Sequence, residues 1–159
     1  MSVPTDDEAA FVDEVAEFFA REGLPLISGR VVGWLLICDP PEQSPAQIAE
    51  ALQVSRSSLS TAARLLTPSG LVETVRRPGD RNAYLRVAAD GWSRMLERRY
   101  AQASGFREVT EHGLRVLQGA SAQRRERLAN VNELYRFLES ELPALFRRWQ
   151  QTQGKDPGP

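Results

Sequence analysis

The sequence predicts a mainly α-helical fold that carries one small β-hairpin. Three observations predict it. Apolar residues recur at helical spacing in six segments, most of them opened or closed by a cap or a breaker. Two strand-forming runs, Leu71-Val72-Glu73-Thr74-Val75 and Tyr84-Leu85-Arg86-Val87, flank the turn signal Pro78-Gly79-Asp80. The chain is 159 residues long, 42% hydrophobic and 26% charged, which suits one globular domain plus an extension. No run approaches the roughly 18 apolar residues of a membrane span.

The elements follow in order. Thr5-Asp6-Asp7-Glu8 reads as a capping box, and Phe11, Val15, Phe18 and Phe19 form a stripe behind it. Gly23 and Pro25 stop this helix, and Ser28 is expected to cap the next, through Val31, Val32, Leu35 and Leu36. Asp39-Pro40-Pro41 ends it. Ser44-Pro45-Ala46-Gln47 is a second capping box with Pro at the first helical position. Ile48, Ala49 and Leu52 are the apolar face of a short third helix, and Gln53-Val54 makes a tight connection. Ser55 caps a fourth helix carrying Leu59, Ala62, Ala63, Leu65 and Leu66, which Pro68, Ser69 and Gly70 are expected to end, with Pro68 shortening it by a turn. After the hairpin, Trp92, Leu96, Ala103, Phe106, Thr110, Gly113 and Leu117 share one stripe. A last helix from about Ser121 to Trp149 carries Leu128, Val131, Leu134, Tyr135, Leu138, Leu142 and Leu145, with Pro143 as a candidate kink. Residues 151–159 are polar with Pro and Gly, and are expected to be a disordered tail.

Two short helices, a tight turn, a longer helix and a hairpin are the order of a winged helix-turn-helix. In that arrangement the first residues of the longer helix enter the major groove of DNA. Arg56, Ser57, Ser58, Ser60, Thr61 and Arg64 lie off the apolar face of that helix. Hydroxyls can donate to phosphates or bases, and Arg grips guanine with two bonds. The hairpin tip reads Arg76-Arg77-Pro78-Gly79-Asp80-Arg81-Asn82. An Arg on a thin wing can enter the minor groove, with Asp80 bracing Arg81 or Arg77. The DNA-binding set is therefore Arg56, Ser57, Ser58, Ser60, Thr61, Arg64, Arg76, Arg77, Asp80, Arg81 and Asn82. The competing reading is a solvated helix face and a soluble loop, and the order of elements favours DNA.

Composition excludes other classes. One Cys, Cys38, and one His, His112, leave no set of Cys and His able to hold zinc. They also argue against a Ser-His-Asp hydrolase. No carboxylate pair, nucleophile with its base or phosphate loop stands out, so the chain is read as non-enzymatic, with no cofactor and no metal. Residues 1–22 hold seven acids and one Arg, whereas residues 91–150 hold eleven Arg and seven Glu. Net charge is -1, but what matters for DNA is whether bases converge on one surface. Opposite charges and apolar stripes at the two ends predict a homodimer that buries them. Cys38 is read as a buried thiol ahead of a redox switch, and His112 as a surface residue.

The chain resembles the MarR family of bacterial transcription regulators, and within it a GbsR-like branch. Gln47-Ile48-Ala49-Glu50-Ala51-Leu52, Val54-Ser55-Arg56, Gly70-Leu71-Val72-Glu73, Gly79-Asp80-Arg81 and Tyr84-Leu85-Arg86-Val87 carry the resemblance. It implies winged-helix lobes on a helical dimerisation stalk made from both termini. The expected division is an N-terminal dimerisation helix at 1–27, a DNA-binding domain at 28–90, a C-terminal helical dimerisation region at 91–150 and the tail. It also implies a cytoplasmic homodimeric repressor that binds double-stranded DNA at an inverted repeat and responds to a small-molecule effector. Arg81 matches the wing Arg of the family and Asp80 its acidic companion. Trp34, Trp92 and Tyr100 are the candidate effector pocket, weighed against plain packing. The alternative is a winged-helix module that binds a protein or a ligand but not DNA.

Overall fold

The computed structural model describes residues 3–153, save the side chains of residues 103–104, so the side chain of Ala103 and residues 154–159 lie outside the described residues. The elements are α1 (Asp6–Arg21), α2 (Leu26–Ile37), α3 (Pro45–Ala51), α4 (Arg56–Ser69), β1 (Val72–Arg76), β2 (Ala83–Val87), α5 (Gly91–Val116) and α6 (Ala122–Gln153). The mainly helical fold with one antiparallel hairpin is as the sequence predicts. The chain divides into two compact units, Met1–Trp92 and Ser93–Pro159. The N-terminal helix thus shares a unit with the winged helix. The last helix runs to Gln153, beyond the expected start of the tail.

In the first unit α2 is central. Val31, Val32, Trp34 and Leu35 are buried, so the helix is enclosed on more than one side. It begins at Leu26, with Pro25 as its cap. Ser28, expected as the cap, lies inside the helix, fully buried, and its hydroxyl has no hydrogen-bond partner among the described residues. Packing has overridden the local cap signal there. The approach of α1 is unusually close. A Cβ on Gly29 would stand 2.6 Å from Ala16 Cα, and one on Gly33 would stand 3.1 Å from Val12 Cα. Val12 and Ala16 are the α1 residues whose backbone meets this groove, while Phe19 is buried separately, against Trp92. Val12, Ala16 and Phe19 are the buried positions of α1, while Phe11 and Phe18, expected in the packing stripe, are 39% and 55% exposed. Arg30 and Asp13 form an ion pair at 3.0 Å across the same pair of helices.

The helix-turn-helix forms from local signals. Ser44 and Gln47 cap α3 reciprocally, as Thr5 and Glu8 cap α1. The tight connection puts Gln53 at φ 53°, in the left-handed region, and the Val54 amide donates to the Ala49 carbonyl at 2.9 Å. Ile48, Ala49, Leu52, Leu59, Ala62 and Leu66 are buried. Pro68 does not shorten α4, which continues to Ser69 and stops at Gly70, φ 77°. Proline in the last turn forfeits one backbone bond, and the Ser69 hydroxyl donates to the Leu66 carbonyl at 2.6 Å.

The hairpin pairs Val72 with Val87 through Arg76 with Ala83. A third segment joins it, because Gln43 and Leu85 exchange backbone hydrogen bonds of 3.0 and 2.8 Å. This bridge ties the middle of β2 to the residues that lead into α3. Leu71, Val72, Leu85 and Ala88 anchor it in the core.

In the second unit α5 and α6 form an antiparallel pair. Thr110 faces Asn132, Phe106 lies 5.2 Å from Tyr135, and Tyr100 lies 6.2 Å from Phe146. Thr110 and Asn132 are both buried and joined by a 2.8 Å hydrogen bond. Arg107 pairs with Glu111 and Glu139. Pro143 lies inside α6.

Two glycines give a paired prediction. Gly29→Ala forces a methyl against the α1 backbone and is expected to destabilise by about 1–3 kcal/mol. Gly105 in α5 has nothing within 4 Å of its would-be Cβ, so Gly105→Ala is expected to stabilise by about 0.5–1 kcal/mol. Denaturant unfolding of both variants checks the pair.

Candidate nucleic-acid interface

The outward face of α4 begins at its cap. The Ser55 hydroxyl accepts from the Ser58 amide at 3.1 Å and is within hydrogen-bond distance of the Ser57 and Ser58 hydroxyls, at 2.9 and 2.8 Å. Three hydroxyls thus cluster at the first turn, where helix amides also favour an anion. Ser60 is exposed one step further along. Thr61 donates to the Ser57 carbonyl at 3.1 Å and accepts from the Arg64 guanidinium at 3.4 Å. Thr61 thereby steers Arg64. Arg56 is exposed at the start of the helix, and no interaction within the described residues holds it.

The three wing arginines differ. Arg77 donates from Nε and a terminal nitrogen to one Glu42 oxygen, at 3.3 and 3.2 Å. Its guanidinium also lies 4.3 Å from the centre of the Tyr84 ring, a cation–π arrangement. Arg76 and Arg81 are exposed and have no partner among the described residues. Arg81 and Arg56 line the same open cleft, together with Glu42, Arg77, Ser44, Gln47, Asn82 and Tyr84. The structure thus brings a residue from the head of α4 and one from the wing to a shared surface.

Asp80 does not brace an Arg through a hydrogen bond. Its two oxygens take the Tyr84 hydroxyl at 2.6 Å and the Asn82 amide at 2.8 Å. It locks the turn that Gly79 makes at φ 80°. The Tyr84 hydroxyl, then the Asn82 amide, hold the Asp80 carboxyl below its usual range, and the same hydrogen bond pushes the Tyr84 phenol up. Glu42 also accepts from Arg86 at 3.0 Å, and Arg86 donates to Glu73 at 2.6 Å. The contact with Glu73, followed by Glu42, raises the Arg86 guanidinium. Sequence reasoning missed Glu42 and Tyr84. Their partners are distant in sequence or seen only once the turn is built.

The aromatic trio is divided between the two units, and each residue is described within its own. Trp34 is 2% exposed, within the core, and its indole N–H has no partner among the described residues. Trp92 packs edge-on against Phe19 at 5.6 Å in the first unit. Tyr100 lines a cavity of about 330 Å³ in the second unit, with Leu138, Leu142 and Phe146. Cys38 is buried, and burial pushes its thiol up, away from a reactive thiolate. His112 is exposed on α5. Among the described residues no group of three or more His, Cys, Asp or Glu is placed to hold a metal ion, and no helix is long and apolar enough to cross a membrane.

The Asp80–Tyr84 lock has a pH signature. A carboxyl lowered in the folded state contributes stability above its unfolded value, and this is lost as pH falls through the folded value. A phenol that is raised contributes below its unfolded value, and this is lost as pH rises through the folded one. Protection factors of wing amides such as Asn82, taken against the unstructured rate at each pH, are therefore expected to be highest near neutral pH and to fall at either extreme. Tyr84→Phe is expected to lower them at neutral pH and to remove their alkaline fall, as followed by amide hydrogen exchange.

Comparison with known proteins agrees with this geometry. Residues 22–81 match the MarR family, and residues 90–152 match the MmpR5-like MarR family transcriptional regulators. The chain is similar to the HTH-type transcriptional regulator MmpR5 of Mycobacterium tuberculosis, 32% identical over 150 residues that cover 94% of this chain and 91% of that one. A crystal structure of a transcriptional regulator, also 32% identical, covers 91% of this chain and 99% of its own, with a TM-score of 0.71. With an identity of that size over nearly the whole length, and a hairpin and helix pair where a winged helix needs them, the chain belongs to the MarR family of transcriptional regulators.

Proposed function

We propose that this regulator is a cytoplasmic homodimer that represses transcription by binding an inverted repeat in double-stranded DNA. One observation carries the DNA-binding part: Arg56 of α4 and Arg81 of the wing line one cleft, neither engaged by a protein partner among the described residues. Arg56, Ser57, Ser58 and Ser60 meet phosphates and base edges, and Arg64, steered by Thr61, reaches a base. Arg76, Arg81 and Asn82 make up the wing contact, while Arg77 and Asp80 hold the wing in shape. Within the family the sequence motifs resemble a GbsR-like branch. The match over residues 90–152 supports an MmpR5-like placement instead, which we adopt.

The dimer is supported by apolar side chains left outward on the long helices. Val109 and Phe137 are each 60% exposed, and Leu134 and Trp149 are also exposed. Together with Phe18 on α1, they are surface that a second copy would cover. Two copies of α4 would then read half-sites about 10 bp apart. The cavity beside Tyr100, apolar with Glu97 and Glu139 at its edge, is our site for a small effector.

The test is binding to the DNA upstream of the chain's own gene, followed by anisotropy over a salt series with nonspecific competitor. Tight binding that survives competitor and falls steeply with salt is expected. Weak, flat and fully competed binding would point to a winged-helix module with another partner. Arg81→Ala is expected to reduce the salt slope by about 0.9 for each phosphate that Arg81 neutralises, which is about eightfold in affinity at 0.1 M salt. Arg64→Ala is expected to weaken specific binding by about 1–3 kcal/mol with little change on random DNA. Phe137→Glu is expected to shift the protein toward monomer in sedimentation velocity.

A further inference from the structure

We propose that Glu42 is a specificity-determining residue, which withholds Arg77 from the DNA backbone and fixes the angle of the wing. It belongs to neither α4 nor the wing, yet it holds two hairpin arginines at once. One carboxylate oxygen takes Arg77 through two nitrogens and the other takes Arg86. Its neighbour Gln43 exchanges backbone hydrogen bonds with Leu85, so Glu42 is anchored by main chain beside the strands it grips. From Glu42 a continuous line of contacts reaches the tip: Arg77 on the Tyr84 ring, the Tyr84 hydroxyl on Asp80, and Asp80 on the Asn82 amide.

An acid beside a DNA-binding cleft opposes phosphate approach. Its presence there makes sense if it neutralises one cation to place another. Arg76, Arg77 and Arg81 sit within six positions of one another. Three free guanidinium groups on so short a loop would bind any phosphate backbone, and phosphate contacts carry no sequence information. Glu42 and Arg77 line the same cleft as Arg56 and Arg81, and with Arg77 paired and stacked, Arg56 and Arg81 are the cleft arginines without a partner among the described residues. The carboxylate thus lowers indiscriminate affinity and holds the remaining wing charge in register with α4.

This inference rests on the DNA-binding reading above, and the experiment separates the two. Wild type, Glu42→Gln, Glu73→Gln, Arg77→Gln and Arg81→Gln are titrated with operator and with random DNA across a salt series. Glu42→Gln is expected to bind random DNA about eightfold more tightly at 0.1 M salt for each Arg77 freed, with a salt slope steeper by about 0.9, and to narrow the ratio of operator to random affinity. Glu73→Gln removes the same charge from Arg86 but leaves Arg77 on Glu42, so its slope stays at the wild-type value. Arg77→Gln also keeps that slope, because Arg77 makes no phosphate contact, whereas Arg81→Gln lowers it. The Arg77 Nε–H signal is expected to be protected from solvent exchange in wild type and not in Glu42→Gln. If Glu42→Gln matches wild type or Glu73→Gln, or if Arg77→Gln lowers the slope as Arg81→Gln does, the role of Glu42 is overturned while DNA binding stands. A flat salt response by wild type overturns the DNA-binding reading, and this inference with it.

Discussion

The first unit depends on the contact between the backbones of α1 and α2. Gly29 and Gly33 lie four residues apart on α2 and remove the two side chains that would hold α1 away. With α1 seated, α2 is covered on that side. Its other faces are then free to meet α4 and β2, which carry the polar surface of the interface. The winged helix is thus assembled around a helix with little contact to water of its own. The same constraint explains the exposed phenylalanines of α1. The groove admits a Val and an Ala, and Phe11 and Phe18 are turned outward.

The candidate interface is built from unequal arginines. Residues of one type in one short loop divide into structural and available members according to which carboxylate or ring is within reach. Arg77 has both Glu42 and Tyr84, and Arg86 has Glu42 and Glu73. On α4 the division is made by hydroxyls: Thr61 turns inward to the helix carbonyl and outward to Arg64. The strength of each contact is modest at such exposed positions. Their effect is geometric, because each removes freedom from a long side chain that would otherwise sample many directions.

Much of this is legible in the sequence where the cause is local. The capping boxes at Thr5 and Ser44, the cap at Ser55 and the turn at Gly79 need only residues three or four apart, and they form as predicted. The order of helices and hairpin follows from those markers. What is illegible depends on tertiary contact. Ser28 carries a cap signal that packing overrides, and the buried face of α1 is set by glycines on another helix. Pro68 reads as a stop but fits the last turn. Asp80 reads as a brace for an Arg because charge is visible in a sequence, while the Tyr84 hydroxyl needs the turn to bring it near. Glu42 has no local signal at all, since its partners lie 35 and 44 residues away.

The buried pair in the helical hairpin has a mechanical consequence. Thr110 and Asn132 are joined by a buried hydrogen bond between aromatic contacts and the Arg107–Glu139 ion pair of the same two helices. Sliding α6 along α5 by one turn, about 5.4 Å, would strand the Asn132 amide without water, at about 1–3 kcal/mol, and part Arg107 from Glu139, while Thr110 keeps its bond to the Arg107 carbonyl of its own helix. Apolar contacts alone would tolerate such a slip, because one aliphatic neighbour substitutes for another. The hairpin therefore behaves as a rod of fixed length: a push at one end arrives at the other as displacement rather than being absorbed as slippage between its two helices.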